Sequence, residues 1–403
     1  MRRLFIMVLA MACTGLITVP ARAEEKTVEQ RLTALEDVLG GMKLYGSIRF
    51  ATFYETSSSR LTSDSDNVTK INTTRQISGP DQRITQWDLY NGSRVGLIAD
   101  RKDGFGGRVE LALKNNDAVS LRLGYGTYTC PGGATFLIGQ DFTPLSEWDY
   151  SSQVFNGDNA LAGWGMIDTD GKRLTQVKVK WNGLQVALVN QKTSTSTSFA
   201  STPSNSGIST STEVVFPHVE AKYRYSAGMF FGDIFGGYGQ YKVDSASVDI
   251  DRTVRSYAAG TGCGVKLDPA YVKGMVWTAV NGKQLGLHQA NAAGAALDSA
   301  ANGYSVINDR DLGFAAVAGV KVSTVTMEAG YGLVSSKKPT SAYCNDKARN
   351  YYLNANIPVA QNVLKTASFS IVPEIGVYDY MKSSTGAEEG RISYAGSKWQ
   401  INF

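Results

Sequence analysis

From Lys43 onward, apolar and polar residues alternate with a period of two, interrupted at intervals by turn residues. In KLYGSIRFATFYE, Leu44, Ile48, Phe50 and Tyr54 share one face, while Ser47, Arg49 and Glu55 share the other. GRVELALK sets Val109, Leu111 and Leu113 against Arg108, Glu110 and Lys114, and SLRLGYGTY sets Leu121, Leu123 and Tyr125 against Arg122 and Gly124. TQVKVKW and PHVEAKYRY repeat the pattern, with Gln176, Lys178 and Lys180, then His218, Glu220, Lys222 and Arg224, on the polar side. Successive side chains of a strand point to opposite faces, so each segment is predicted to be a strand with one apolar and one polar face.

A soluble antiparallel sheet alternates in the same way, so the connections must separate the two cases. Short ones (Asp103-Gly104, Cys130-Pro-Gly-Gly, Asn182-Gly183, Ser226-Ala-Gly, Asp268-Pro269, Ser323-Thr324 and Gln361-Asn362) alternate with mostly longer ones at 56–85, 141–172, 191–215, 243–252, 287–308, 335–346 and 382–389. Short turns at one end and long loops at the other are the arrangement of an outer-membrane barrel. The fold class predicted is all-β, a transmembrane antiparallel β-barrel of about sixteen strands over residues 42–403, with both termini on the short-turn, periplasmic side. Pro373, inside VLKTASFSIVPEIGVYDY, has no N–H to give a ladder and predicts a bulge or a strand boundary there.

Before Lys43 the period is different. In KTVEQRLTALEDVLGG, Val28, Leu32, Leu35 and Leu39 are spaced as the a and d positions of two heptads, and Gly40-Gly41 stops the helix. Residues 24–41 read either as a helix lying on its own domain or as a short periplasmic coiled coil that joins identical chains. Residues 1–23 carry Arg2 and Arg3, an apolar run and the triplet Ala21-Arg22-Ala23, the form of a secretory signal peptide cleaved before Glu24.

Charge and composition narrow the chemistry. Removing Arg2, Arg3 and Arg22 from the 40 basic residues leaves 37 against 36 acidic ones, so the formal +4 shrinks and nucleic acid loses its support as a partner. Cys130, Cys263 and Cys344 are too widely spread for a metal motif. His218 and His288 have no ligand-spaced partner, so neither a metal, a cofactor nor histidine catalysis is expected, and the chain reads as no enzyme. No segment after the signal approaches the ~20 apolar residues of a membrane helix. The 20 tyrosines suit a barrel whose aromatics gather at the two membrane interfaces.

The stretch 141–172, DFTPLSEWDYSSQVFNGDNALAGWGMIDTDGK, mixes Asp141, Glu147, Asp149, Asp158, Asp168 and Asp170 with Phe142, Trp148, Tyr150, Phe155, Trp164 and Met166. That much aromatic surface is wasted on a purely solvated loop. Two readings stand: a loop folded inside the barrel, and an external loop with a local aromatic cluster. The tail RISYAGSKWQINF places Trp399, Ile401 and the terminal Phe403 on one face and small Ser393, Ala395 and Ser397 further back.

Four stretches then occur in one order: Leu44-Tyr45-Gly46, the hairpin 93–113, Gly139-Gln-Asp-Phe-Thr-Pro-Leu145, and the closing Phe403. In these the chain resembles the Gram-negative trimeric porins of the general-diffusion type, and its helical prefix is similar to that of homotrimeric porins of sulfate-reducing bacteria. The resemblance implies a sixteen-stranded barrel in the outer membrane, narrowed by the third loop, that passes small hydrophilic solutes and ions by passive diffusion. It maps wall arginines onto Arg94 and Arg122. With Arg49 and Arg108 these form the expected pore-lining basic set, facing Glu147, Asp149 and Asp158 of the loop. The family's arginine after the loop falls near Arg173, but alternation from Val177 and Val179 turns Arg173 outward, which leaves Lys172 and Lys178 as the expected basic residues there. Gln140 departs from the family, which often has arginine before the loop, and the segment Asn115 to Val119 is short for a subunit-latching loop. Trp399, Ile401 and Phe403 resemble the signal read by the barrel-assembly machinery. Implied partners are two further copies of the chain, outer-membrane lipid and lipopolysaccharide. Alternatives are a substrate-selective anion channel of phosphate or sulfate type, a structural tether gripping the cell wall, and a barrel enzyme.

Overall fold

The alternating segments pair in chain order until the last returns to the first, so the sheet has no free edge. In a computed structural model, residues 41–403 are described apart from 62–79, 91, 101–102, 114–118, 147–148, 156–160, 169–172, 191–199, 202–210, 215, 246–249, 288–294, 301–302, 338–344, 364–366 and 384–385. The expected signal peptide and the expected helix seam of Val28, Leu32, Leu35 and Leu39 lie outside the described residues, as do His288 and Cys344.

Sixteen antiparallel strands close the barrel. They are β1 (Met42–Ser57), β2 in two pieces (Arg83–Leu89 and Arg94–Asp100), β3 (Phe105–Leu113), β4 (Val119–Thr129), β5 (Thr135–Phe142), β6 (Arg173–Trp181), β7 (Leu184–Val189) and β8 in two pieces (Ser211–Glu213 and His218–Ala227). There follow β9 (Phe230–Ser245), β10 (Ile250–Lys266), β11 (Ala270–Val280), β12 (Arg310–Val322), β13 (Val325–Lys337), β14 (Asp346–Val363), β15 (Ala367–Lys382) and β16 (Arg391–Asn402). Both pieces of β2 pair with β1, and both pieces of β8 pair with β9, so each counts as one barrel strand. β1 and β16 seal the cylinder from Ser47–Asn402 to Ser57–Ile392, and the Phe403 N–H donates to the Gly46 carbonyl at 3.1 Å. A Cβ on Gly46 would collide with the Phe403 ring, so the seam needs glycine there.

The two faces sort as the alternation dictates. Leu44, Trp87, Val109, Ile138, Val177, Ile234, Leu353, Ile375 and Ile401 are exposed on the outside, an apolar surface far too extensive for water. His218, Glu220 and Lys222 are buried on the inside.

Three local expectations need correcting. Leu123 and Tyr125 were expected on the apolar face with Leu121, but the β3–β4 ladder shifts register at Glu110/Leu111, opposing Leu121 to Leu111 and Leu123 to Glu110. One extra residue on β4 leaves Arg122 and Leu123 both facing in. The turn expected at Gln361-Asn362 is strand, because β14 runs through Val363 with two register shifts that absorb the irregular residues. Pro373 marks neither a bulge nor a boundary: β15 keeps its register with β16 there, and only the ladder to β14 skips residues 372–373. A missing N–H interrupts one ladder and leaves the other intact.

Inside, residues 143–146, 149–155 and 161–168 run along the inner wall. Leu145, Tyr150, Phe155, Leu161, Trp164, Met166 and Ile167 form one buried cluster with Phe53, Trp277, Tyr352, Tyr378 and Tyr394 of the strands.

Candidate functional site

β1 to β4 carry a wall of arginines arranged around one carboxylate. Glu110, 2% exposed, receives Arg122 Nε at 2.7 Å, Arg108 Nη2 at 2.9 Å and the Tyr45 hydroxyl at 2.7 Å, with Arg94 Nε at 3.5 Å. Arg108 Nε also donates to the Tyr45 hydroxyl at 2.7 Å, and its guanidinium covers the Tyr45 ring. Three guanidiniums around one carboxylate leave two positive charges unbalanced. Arg49 sits beside them, with its Nε donating to Ser47 Oγ at 3.0 Å. Its backbone is stitched across the break in β2 by the Ser93 hydroxyl, which accepts from the Arg49 N–H and donates to the Arg49 carbonyl, each at 3.0 Å.

Gln140 has a local purpose here. Its amide donates to the carbonyls of Leu121 and Arg122, both at 3.1 Å, and so holds the bulge at Arg122. Gln140→Ala is expected to lower barrel stability by about 1–2 kcal/mol and to loosen Arg122, read as a lower unfolding temperature of the heat-modifiable barrel together with weaker anion preference.

Beyond the loop the basic residues divide. Lys178 is 2% exposed, with its ammonium taken by Asp141 Oδ2 and the Phe142 carbonyl, both at 2.6 Å. It braces the root of the loop. Lys172 lies outside the described residues. Arg173 starts β6 on the side away from Leu174 and Gln176, yet its guanidinium lies over the Phe142 ring at 4.4 Å, and the charges acting on it are those of Arg122, Glu110, Asp168 and Arg94. It therefore joins the arginine wall. Lys398 of β16, which the alternation of that strand puts inside, places a buried amine near Arg49 and Arg94.

The loop is held from the opposite half of the barrel, by wall carboxylates that accept its backbone N–H groups. Glu220 takes Leu145 N–H at 3.0 Å, Glu328 takes Ser152 N–H at 2.6 Å, and Glu374 takes Val154 and Phe155 N–H at 2.7 and 2.8 Å. Asp233 accepts the Tyr150 hydroxyl at 2.6 Å, and Phe155 stacks on Tyr394 at 3.7 Å. Tyr90 crosses from β2 to donate to the Val154 carbonyl. Of the loop acids proposed to face the arginines, Glu147 and Asp158 lie outside the described residues. Asp149 is paired with Arg224 of β8, and its carbonyl accepts Lys273 Nζ at 2.9 Å. These wall acids were not singled out from the sequence. Their signal was an acidic residue at an inward position of β8, β9, β13 and β15.

The result is an asymmetric lumen. Glu220, Asp233, Glu328 and Glu374 are 0–2% exposed behind the loop, whereas the Arg94, Arg108 and Arg122 side chains are 26%, 30% and 14% exposed. Among the described residues those four acids are spent on holding the loop, and the exposed Asp149 is paired with Arg224, so the unbalanced charge on the β1–β4 wall is positive.

No family profile and no curated sequence matches the chain. Solved structures do. The outer membrane channel DcaP of Acinetobacter baumannii superposes with a TM-score of 0.64 at 18% identity, over 90% of this chain and 97% of that one. The fold is that of an outer-membrane porin. An anion-selective porin from Comamonas acidovorans gives a TM-score of 0.54 at 11% identity, covering 90% of this chain and 99% of its own. OmpT of Vibrio cholerae, in its trimer form, gives 0.51 at 16% identity, covering 90% and 99%. In this chain the inward loop is held by carboxylates of β8, β9, β13 and β15, and the arginines of β1–β4 gather on Glu110.

Proposed function

We propose that the chain is an outer-membrane porin, a water-filled channel for passive diffusion of small hydrophilic solutes that favours anions. The observation that carries the reading is the charge asymmetry of the lumen, with guanidiniums accessible on β1–β4 and carboxylates buried behind the loop. Fixed positive charge between low-dielectric walls raises the local concentration of anions and repels cations, and selection beyond charge is by size. The apolar outer face and the neighbours' location support the Gram-negative outer membrane as the site. The trimer form of OmpT supports a homotrimer, in which the seam Val28, Leu32, Leu35 and Leu39 forms a periplasmic coiled coil. Trp399, Ile401 and Phe403 serve as the assembly signal, and the chain performs no catalysis.

The test is liposome swelling with purified protein, comparing sugars with mono- and divalent organic anions and cations of matched size. Faster entry of the anions, with flux linear in concentration, is expected. Saturating flux for phosphate or sulfate alone would replace diffusion by a substrate-selective anion channel, and no flux from a folded barrel would discard the pore.

A further inference from the structure

The interior of a water-filled barrel is polar. Toward the long loops, the inner wall of β9 to β11 departs from this: Tyr241, Val243, Val254, Ala258, Trp277 and Ala279 hold inward positions, and all are buried. Nearer the periplasm the same side turns polar again, with Arg224, Asp233 and Lys273. Apolar side chains that face a channel need a cover, and the connection from β11 to β12 supplies one. Gly282–Leu285 form a short 3-10 turn that lies against β9 and β10. Leu285, 0% exposed, and Leu287, 3% exposed, join Ala258, Trp277 and Ala279 in the buried cluster that also holds Trp164 and Met166 of the inward loop. Further along the connection, Ala295 and Val306 close over Tyr241, Val243 and Val254.

The turn is anchored at its base and at its tip. Asn281 takes the left-handed conformation, φ 53°, and its amide donates to the Arg255 carbonyl at 2.8 Å and to Asn308 Oδ1 at 2.7 Å. Asn281 Oδ1 accepts the Asp309 N–H at 2.9 Å, which ties the start of the connection to its end. At the tip the Leu287 N–H donates to the Gly282 carbonyl at 3.1 Å. The inward loop is fixed in the same cluster: Trp277 Nε1 donates to the Gly165 carbonyl at 2.8 Å, and Trp164 lies edge-on to Tyr378 and Tyr380. A Cβ on Gly332 would stand 2.2 Å from the Trp164 carbonyl oxygen, so the loop rests directly on the backbone of β13. Loop and turn thus fill one side of the lumen with apolar groups, whereas Arg94, Arg108 and Arg122 on the other side stay accessible.

We infer that the turn 282–287 is a second constricting element, in which Leu285 and Leu287 set the size limit of the channel for uncharged solutes while the arginine wall sets its charge preference. The turn confines the water-filled path to the side of the arginines. Its hold is hydrophobic, so polar side chains in place of the two leucines release it, water reaches the apolar wall, and the open cross-section grows. The inference rests on the reading of the chain as a diffusion pore.

The full-length protein is compared with three variants. L285N/L287N puts two amides into the apolar cluster, N281G keeps the left-handed backbone but cuts the tie at the base, and L285M/L287M keeps the apolar volume. Entry of a monosaccharide, a disaccharide and a trisaccharide is read from liposome swelling, and reversal potential in a KCl gradient from planar bilayers. In L285N/L287N and N281G, entry of the trisaccharide relative to the monosaccharide is expected to rise roughly threefold, with larger current steps and a reversal potential that still favours chloride. L285M/L287M keeps the wild-type cut-off. Should L285N/L287N fail to fold, N281G decides alone. An unchanged sugar ratio in the folded variants, opening by L285M/L287M to the same extent, or loss of chloride preference together with the cut-off overturns the assignment. A wild type that conducts, with variants that sieve as it does, sinks this inference alone; a wild type that passes none of the sugars and carries no current sinks the pore.

Discussion

Replacing Arg94 and Arg122 together by glutamine is expected to move the reversal potential in a KCl gradient toward cations, with the chloride-to-potassium preference falling roughly fivefold to tenfold at low salt. Glu110 balances one of the three guanidinium charges gathered on it. In the double variant it keeps only Arg108 and the Tyr45 hydroxyl, so the excess charge contributed by the group disappears. Arg49 and Arg173 remain, and some anion preference should survive. Raising KCl toward 1 M, where the screening length falls to about 3 Å, should erase most of the difference between variant and wild type. Unchanged selectivity at low salt in a normally folded variant would remove these arginines from the conduction path. Equal loss at every salt concentration would point to a collapsed lumen.

The second large effect is expected at Glu374. Its two oxygens accept four donors: the Val154 and Phe155 N–H groups, Asn354 Nδ2 at 3.0 Å and the Tyr394 hydroxyl at 3.0 Å. Glu374→Ala leaves these buried donors without an acceptor, at about 1–3 kcal/mol each where water cannot replace it. The tip of the loop, where Phe155 stacks on Tyr394, should come away from the wall. Single-channel recordings then show larger and noisier current steps, and the unfolding temperature drops. Glu374→Gln is no rescue, since its amide nitrogen adds a donor to a site that needs only acceptors. Quiet steps of wild-type size from Glu374→Ala would mean that the loop is held by its aromatic cluster and not by the carboxylate.

The arginine wall is partly legible in the sequence. Arg94 and Arg108 follow from the alternation of β2 and β3. Arg122 was also placed inward, yet Leu123 was not, because a bulge inserts one residue without changing composition. Arg173 begins a strand directly after the loop, where parity fixes the direction of Cβ but a long side chain can fold back over Phe142. Lys178 has correct parity and still ends on Asp141 and the Phe142 carbonyl rather than in open lumen.

Period-two alternation, short turns set against long loops and an aromatic C-terminus determine by themselves a sixteen-stranded barrel with its apolar face outward, because strand side chains must alternate and lipid tolerates no free sheet edge. The tertiary structure alone decided where the charges work. Carboxylates on strands as distant in sequence as Glu220 and Glu374 meet one loop only after the sheet has closed, and that closure hides the acids while leaving the arginines in view. The meeting of Leu285 and Leu287 with Trp164 and Trp277 in one cluster likewise waits on that closure, and no single segment carries it in its own sequence.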